Sequence, residues 1–283
     1  MRIATVLTGA LAAFLISLPV TGAEGNQTTA PPTLKIIHFD VGPGDFTLII
    51  YENPKNEALN RTLLIDGATR SMARKVVIPG IVRERIKNLD YVIATQYGQP
   101  HFQGVKEVIR VIPMSGNGAV YTRDNVWTTK SDGSRVRNPP LNPGFEFSLG
   151  EKLTVKYLAS GGMTDAIVAQ VQQHQRDQSH DENSQEANTE ASRSLAFKIT
   201  FDNFQYFIGG DLTGGGQSGF GASPNLETLV ARNAGRVDVL RVNNHGSPAS
   251  SNAGFLSTLD PSVAIISAGQ SESRNSQLAH TRA

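Results

Sequence analysis

The chain has 283 residues, 39% hydrophobic and 18% charged, with no cysteine and a formal net charge of +1. This composition excludes a disordered chain, a disulfide scaffold, thiolate metal ligands and a cysteine nucleophile. The charge, nearer zero once Arg2 is removed with a leader, argues against binding nucleic acid or an anionic membrane through bulk charge.

Residues 1–23 read as a secretory signal: Met1-Arg2, an apolar run from Ile3 to Val20, then small residues ending at Ala23. The alternative is a membrane anchor, but the run is barely long enough to span and no positive flank follows it. Removal near Ala23 implies an exported protein, periplasmic or extracellular, with no membrane contact. A polar linker over 24–33 leads into one domain, 34–283.

Leu34 to Val41 and Phe46 to Tyr51 are β-rich runs joined by Gly42-Pro43-Gly44-Asp45, which signals a hairpin. Asp40 and Asp45 are expected to shape it, and His38 to face the sheet or solvent. A third strand, Arg61 to Ile65, ends at Asp66-Gly67, and Val76 to Lys87 has helical spacing. The apolar strand Leu89 to Thr95 then runs into a short polar turn holding His101, with a helix over Val105 to Val111. Gly118 to Trp127 and Phe145 to Leu158 are further strands. The tract around 170–192 is a polar surface insertion, whose His174 and His180 read as solvated rather than as ligands.

Leu195 to Phe201 and Gln205 to Ile208 form another strand pair, ending in Gly209-Gly210-Asp211. The glycine-rich loop Gly214 to Gly221 is no phosphate cradle, because no Gly-Lys-Ser or Gly-Lys-Thr follows. Ser223-Pro224 suits the cap of a helix over Asn225 to Asn233. The strand Val237 to Val242 leads to Asn243-Asn244-His245-Gly246-Ser247. A short helix around Phe255 and the strand Val263 to Ser267 follow. Paired strands with two interleaved sets of helices indicate an α/β sandwich whose strand-end polar residues converge on one rim.

Asp66, His101, Asp211 and His245 each follow an apolar strand closely. Carboxylate and imidazole are the ligand types that a catalytic Zn, Mn or Fe ion takes, with coordination left open for water. The competing reading makes the two aspartates turn caps and satisfies the two histidines with backbone hydrogen bonds. Spacing alone leaves both open.

The stretches HFDVGPGDFTLI, LLIDGA, LDYVIATQYGQPHFQGV, SLAFKITF with FIGGDL, VDVLRVNNHGS with FLSTLDP, and VAIISAG occur in order from Leu34 to Gly269. In this the sequence resembles the metallo-β-lactamase-fold hydrolases, and within them the hydrolase domain of ComEC-type competence proteins. The resemblance implies an αββα sandwich with metals at one rim and hydrolysis of a phosphodiester or ester. The family signature Thr-His-x-His-x-Asp-His is here Thr95-Gln96-Tyr97-Gly98-Gln99-Pro100-His101, so Gln96 and Gly98 stand for two imidazoles and Pro100 for a carboxylate. Asn244 likewise stands where the branch has a histidine.

What carries over is His101, Asp211 and His245 as metal ligands, Asp211 and His245 as catalytic groups, and Asp66 as the supporting carboxylate. Gln96 or Tyr97 would position substrate. Such a set holds at most one ion, Zn, Mn or Fe, or none, since paired cations need about six to eight ligands or bridging waters. Two functions follow: single-metal hydrolysis of a phosphodiester or ester, or a lapsed enzyme that binds a ligand or partner. A serine hydrolase is disfavoured, because Gly246-Ser247 lacks the G-x-S-x-G elbow. After Gly269 the family continues through a His-Pro turn into a last helix, whereas this chain reads QSESRNSQLAHTRA with His280 in the tail. Either the domain closes differently or its last element is missing.

Overall fold

The computed structural model describes residues 30–42, 44–130, 134–138, 143–160, 190–218, 221–222 and 224–268. The expected signal segment, most of the expected linker, the expected insertion up to residue 189, Ser223 and the tail from Gly269 lie outside the described residues. β1 (Thr33–His38) and β2 (Thr47–Glu52) form the expected hairpin, and β3 (Arg61–Ile65) pairs antiparallel with β2. Along β2, Leu48 and Ile50 face one side and Ile49 and Tyr51 the other, all of them buried. Strands covered on both faces read as continuous apolar runs rather than alternating ones, which is why this sequence does.

The first helix, α1, runs as Arg70–Met72, a π turn over Ala73–Val77, and Ile78–Arg83. It starts earlier than its apolar spacing suggests because the Thr69 hydroxyl caps it, accepting from Met72 N at 3.3 Å. β4 (Leu89–Ile93) lies parallel to β3, and α2 (Gln99–Val111) leads to β5 (Met114–Tyr121), parallel to β4. His101 therefore sits in the first turn of a helix and not in an open turn. Pro100 lacks the N–H that a first helical turn leaves unpaired in any case, so the helix begins at Gln99. The single strand expected over 118–127 breaks into β5 and β6 (Val126–Thr129), and β7 (Arg135–Asn138) completes this seven-stranded sheet.

The second sheet begins with the hairpin β8 (Glu146–Gly150) and β9 (Leu153–Ala159), which splits the strand expected over 145–158 at Lys152, φ 61°. It continues through β10 (Ala196–Phe201) and β11 (Phe204–Ile208). A small hairpin, β12 (Gln217–Ser218) with β13 (Gly221–Ala222), and α3 (Glu227–Ala234) lead to β14 (Val239–Arg241). α4 (Ala253–Leu259) and β15 (Val263–Ile265) close it, in the order β15-β14-β11-β10-β9-β8. Both β11–β14 and β14–β15 are parallel pairs.

Three apolar clusters define four layers. Ile49, Leu63 and Ile65 meet Tyr157, Phe197 and Tyr206 between the sheets. Leu48, Leu64 and Val92 pack under Val77, Ile81 and Val105 of the first helix pair. Phe207 and Leu240 pack under Val230, Phe255 and Leu259 of the second. This is the αββα sandwich that the resemblance implies. Ligands of parallel α/β sheets bind beyond the carboxyl ends of the strands, and here β3, β4, β11 and β14 end at one rim.

Candidate metal centre

Each parallel strand delivers one group to that rim. Asp66 follows β3, held in the left-handed region at φ 57°, with its N–H donating to Ile93 O at 2.8 Å. Its carboxylate accepts from Thr95 N at 2.8 Å and from the Thr95 hydroxyl at 2.7 Å. His101 enters from α2, which approaches the β3–α1 loop so closely that a Cβ on Gly104 would lie 1.7 Å from Gly67 O. Gly67 N donates to His101 O at 2.8 Å across the same contact. Glycine at both positions is thus a requirement of helix placement.

His101 is wholly buried. Its Nδ1 lies 3.1 Å from Asp66 Oδ2, and its Nε2 points to Asp211 Oδ2 at 3.2 Å without alignment for a hydrogen bond. Burial pulls its pKa down, but the Asp66 and Asp211 carboxylates outweigh that and push it up to about 10. Asp211 follows β11 and is held by Ser194 Oγ, which accepts from its N–H at 3.2 Å. Burial raises the Asp211 pKa, but the charge of His101 prevails and holds it below the ordinary carboxylate range. Gln96 reaches the same carboxylate, its Nε2 donating to Asp211 Oδ2.

His245 lies beyond β14 on a loop in which Asn244 (φ 47°) and His245 (φ 54°) are both left-handed. Two consecutive non-glycine residues there are a concentrated strain, of a kind that gathers at functional sites. The loop is tied down by the buried Glu227, whose carboxylate accepts from Asn243 Nδ2 at 2.7 Å, Ser251 N at 2.6 Å and Asn252 N at 2.9 Å. His245 Nδ1 donates to Ser267 O at 2.7 Å, which leaves Nε2 as the lone-pair nitrogen, 3.5 Å from Asp211 Oδ1. Burial lowers its pKa and keeps the ring neutral.

The structure thus gathers His101, Asp211 and His245, with Asp66 behind the first and Gln96 against the second. Tyr97 does not join them. Its hydroxyl donates to Thr122 Oγ1 at 2.9 Å, and its ring lines a separate groove of about 610 Å³ with Phe102, Lys106 and Trp127. Gly98 precedes α2 and Pro100 opens it, so both serve the helix start.

One correction concerns Asp45, and a further buried residue, Arg241, goes unread in the sequence. Asp45 does not merely shape the hairpin: it is fully buried in the cluster, 3.5 Å from His101 Nδ1 and 3.7 Å from His245 Nδ1. Because β2 runs antiparallel to β3, the start of β2 lies at the rim where β3 ends. Arg241, the last residue of β14, shares the inward face of Val239 and is 2% exposed. Its Nη2 contacts Asp45 Oδ1, and its Nη1 lies 4.0 Å from Asp66 Oδ2. Burial draws the Arg241 pKa down to about 9, which still leaves it cationic at neutrality. His38 faces the core rather than solvent, with Nδ1 3.2 Å from Thr47 Oγ1 and Nε2 3.0 Å from the Tyr206 hydroxyl. His174, His180 and His280 lie outside the described residues.

Asp45, His101, Asp211 and His245 can each offer a ligand atom within 4.8 Å of the others, which makes them a possible metal site. Within this group, His101 Nε2, Asp211 Oδ1 and both oxygens of Asp45 are buried polar atoms without a hydrogen-bond partner among the described residues, the Asp45 oxygens lying on the Arg241 side. A tetrahedral site with bonds near 2.0 Å has ligand–ligand edges of about 3.3 Å. The His245 Nε2–Asp211 Oδ1 spacing, 3.5 Å, lies near that edge, and His101 Nε2 lies 3.2 Å from the other oxygen of the same carboxylate, Oδ2. The residues present fit one ion.

No family model matches the chain, and no curated protein matches it. Among solved structures it is similar to a metallo-β-lactamase of HARLDQ motif from Cronobacter sakazakii, at 13% identity over 80% of this chain and 87% of that one, TM-score 0.44. It is also similar to the Rm3 metallo-β-lactamase, at 16% identity over 72% and 74%, TM-score 0.38. A third is the diiron β-hydroxylase CmlA from Streptomyces venezuelae, at 12% identity over 82% and 44%, TM-score 0.45.

Proposed function

We propose that the protein is an exported hydrolase that works with one divalent ion, Zn, Mn or Fe, on a phosphodiester or ester. The observation that carries this is the pair of unpartnered buried atoms, His101 Nε2 and Asp211 Oδ1, opposite the lone-pair Nε2 of His245. When bound, such an ion supplies Lewis acidity toward a phosphoryl or acyl oxygen. The chain's own residues do the rest. Asp66 and Thr95 fix the ring of His101, Ser267 O fixes that of His245, and Gln96 orients Asp211 so that Oδ1 stays free. His245, a quarter exposed, forms the edge that substrate meets.

A second reading, a lapsed enzyme that binds a ligand or partner, is favoured by one observation. Gly98 and Pro100, where the resembled family has ligands, are committed to starting α2, and Pro100 O accepts from Asp45 N at 3.2 Å. Turnover of a bis-aryl phosphodiester by the mature protein, with and without added Zn or Mn, separates the two. Metal-dependent turnover abolished by His245→Ala supports the hydrolase. Absence of turnover at full metal loading leaves binding.

A further inference from the structure

We infer that Arg241 is a resident cation occupying the place of a second metal ion, and that it limits the cluster to one divalent ion. This deepens the one-ion reading above and rests on it. Three buried carboxylates, Asp45, Asp66 and Asp211, converge on the rim, more negative charge than one ligand set needs. The Arg241 guanidinium sits among them, against Asp45 Oδ1 and 4.0 Å from Asp66 Oδ2, on the side of the His101 ring away from Asp211.

The Arg241 guanidinium, cationic at neutrality, has no acceptor capacity. Three carboxylates, one guanidinium and one divalent ion sum to zero, with His245 neutral and His101 giving up its Nε2 proton to make room for the ion. A second divalent ion would leave two uncompensated positive charges in a buried site, which is prohibitively costly. Neither carboxylate oxygen of Asp45 has a hydrogen bond among the described residues, so the Arg241 contact is what balances its charge before any ion binds.

The test is bound metal per chain, measured by elemental analysis after equilibration with excess Zn and gel filtration, together with the melting temperature of the metal-free protein. Wild type and Arg241→Lys are expected to hold one ion. Arg241→Gln exposes Asp45 and Asp66 to each other: it should hold two ions, and its metal-free form should melt about 10 °C lower, recovering with Zn. Where that form does not fold, refolding it in Zn gives the same count. The double variant Asp45→Asn/Arg241→Gln should return to one ion. Two ions in wild type, or one in Arg241→Gln with an unchanged metal-free melting temperature, would overturn the inference. No ion in wild type but one in Arg241→Gln would overturn both the limit of one ion and the one-ion hydrolase, leaving Arg241 as a cation that excludes metal altogether.

Discussion

Asp66 Oδ2 lies 3.1 Å from His101 Nδ1 and accepts at 2.7 Å from the Thr95 hydroxyl, so one buried carboxylate fixes both the ring and the strand end that precedes it. A carboxylate behind a ligating imidazole sets its tautomer and raises its basicity, and losing it typically weakens metal binding 10- to 100-fold. Asp66→Asn keeps the shape and removes the charge. Zn affinity from competition with a chromophoric chelator is expected to fall by about that factor, with the folded spectrum retained. Unchanged affinity would remove Asp66 from the site.

Gly104 and Gly67 set how near α2 comes to the β3–α1 loop. Gly104→Ala places a methyl 1.7 Å from Gly67 O, contact with backbone that no rotamer relieves. The variant should lose about 1–3 kcal/mol, read as a lower urea midpoint at constant slope. Val111→Ala, at an exposed position of the same helix, should stay within about 0.5 kcal/mol.

These contacts show what the sequence could and could not reveal. Strands were legible because β2, β4 and β11 are buried on both faces and carry apolar runs, and the strand-end set was legible because Asp66, Asp211 and His245 fall within four residues of their strand ends. Asp45 was not, since it precedes its strand and reaches the rim only through the antiparallel direction of β2. Arg241 was hidden inside VDVLRV, where a single cation reads as an outward residue until the facing of Val239 is known. The helix start at Gln99 was masked by the polar run before it, so His101 looked like a turn residue.

Asn244 occupies a left-handed conformation next to His245. Asparagine tolerates that region, a β-branched residue does not, and glycine adopts it freely. Asn244→Val should cost about 1–2 kcal/mol and loosen His245, whereas Asn244→Gly should change stability by less than about 1 kcal/mol. Equal effects of the two in thermal unfolding would show that this backbone is not strained.

His38 is held neutral in the core, first by burial and then by the Arg241 guanidinium, with its pKa lowered to about 3. The unfolded chain takes up this proton near pH 6.5 and the native chain only near 3. The resulting stability is therefore full above about pH 6.5 and is lost as pH falls through that window. His38→Gln should flatten the acid limb of unfolding free energy between about pH 6 and 3.5. A wild-type limb no steeper than the variant's would contradict the assignment.

The most direct measurement is anomalous diffraction at the zinc edge from crystals soaked in Zn. One peak, about 2.0–2.2 Å from His101 Nε2, His245 Nε2 and Asp211 Oδ1, is the expected result. No peak at the rim, two peaks there, or one coordinated by Asp45 in place of Arg241 would contradict it.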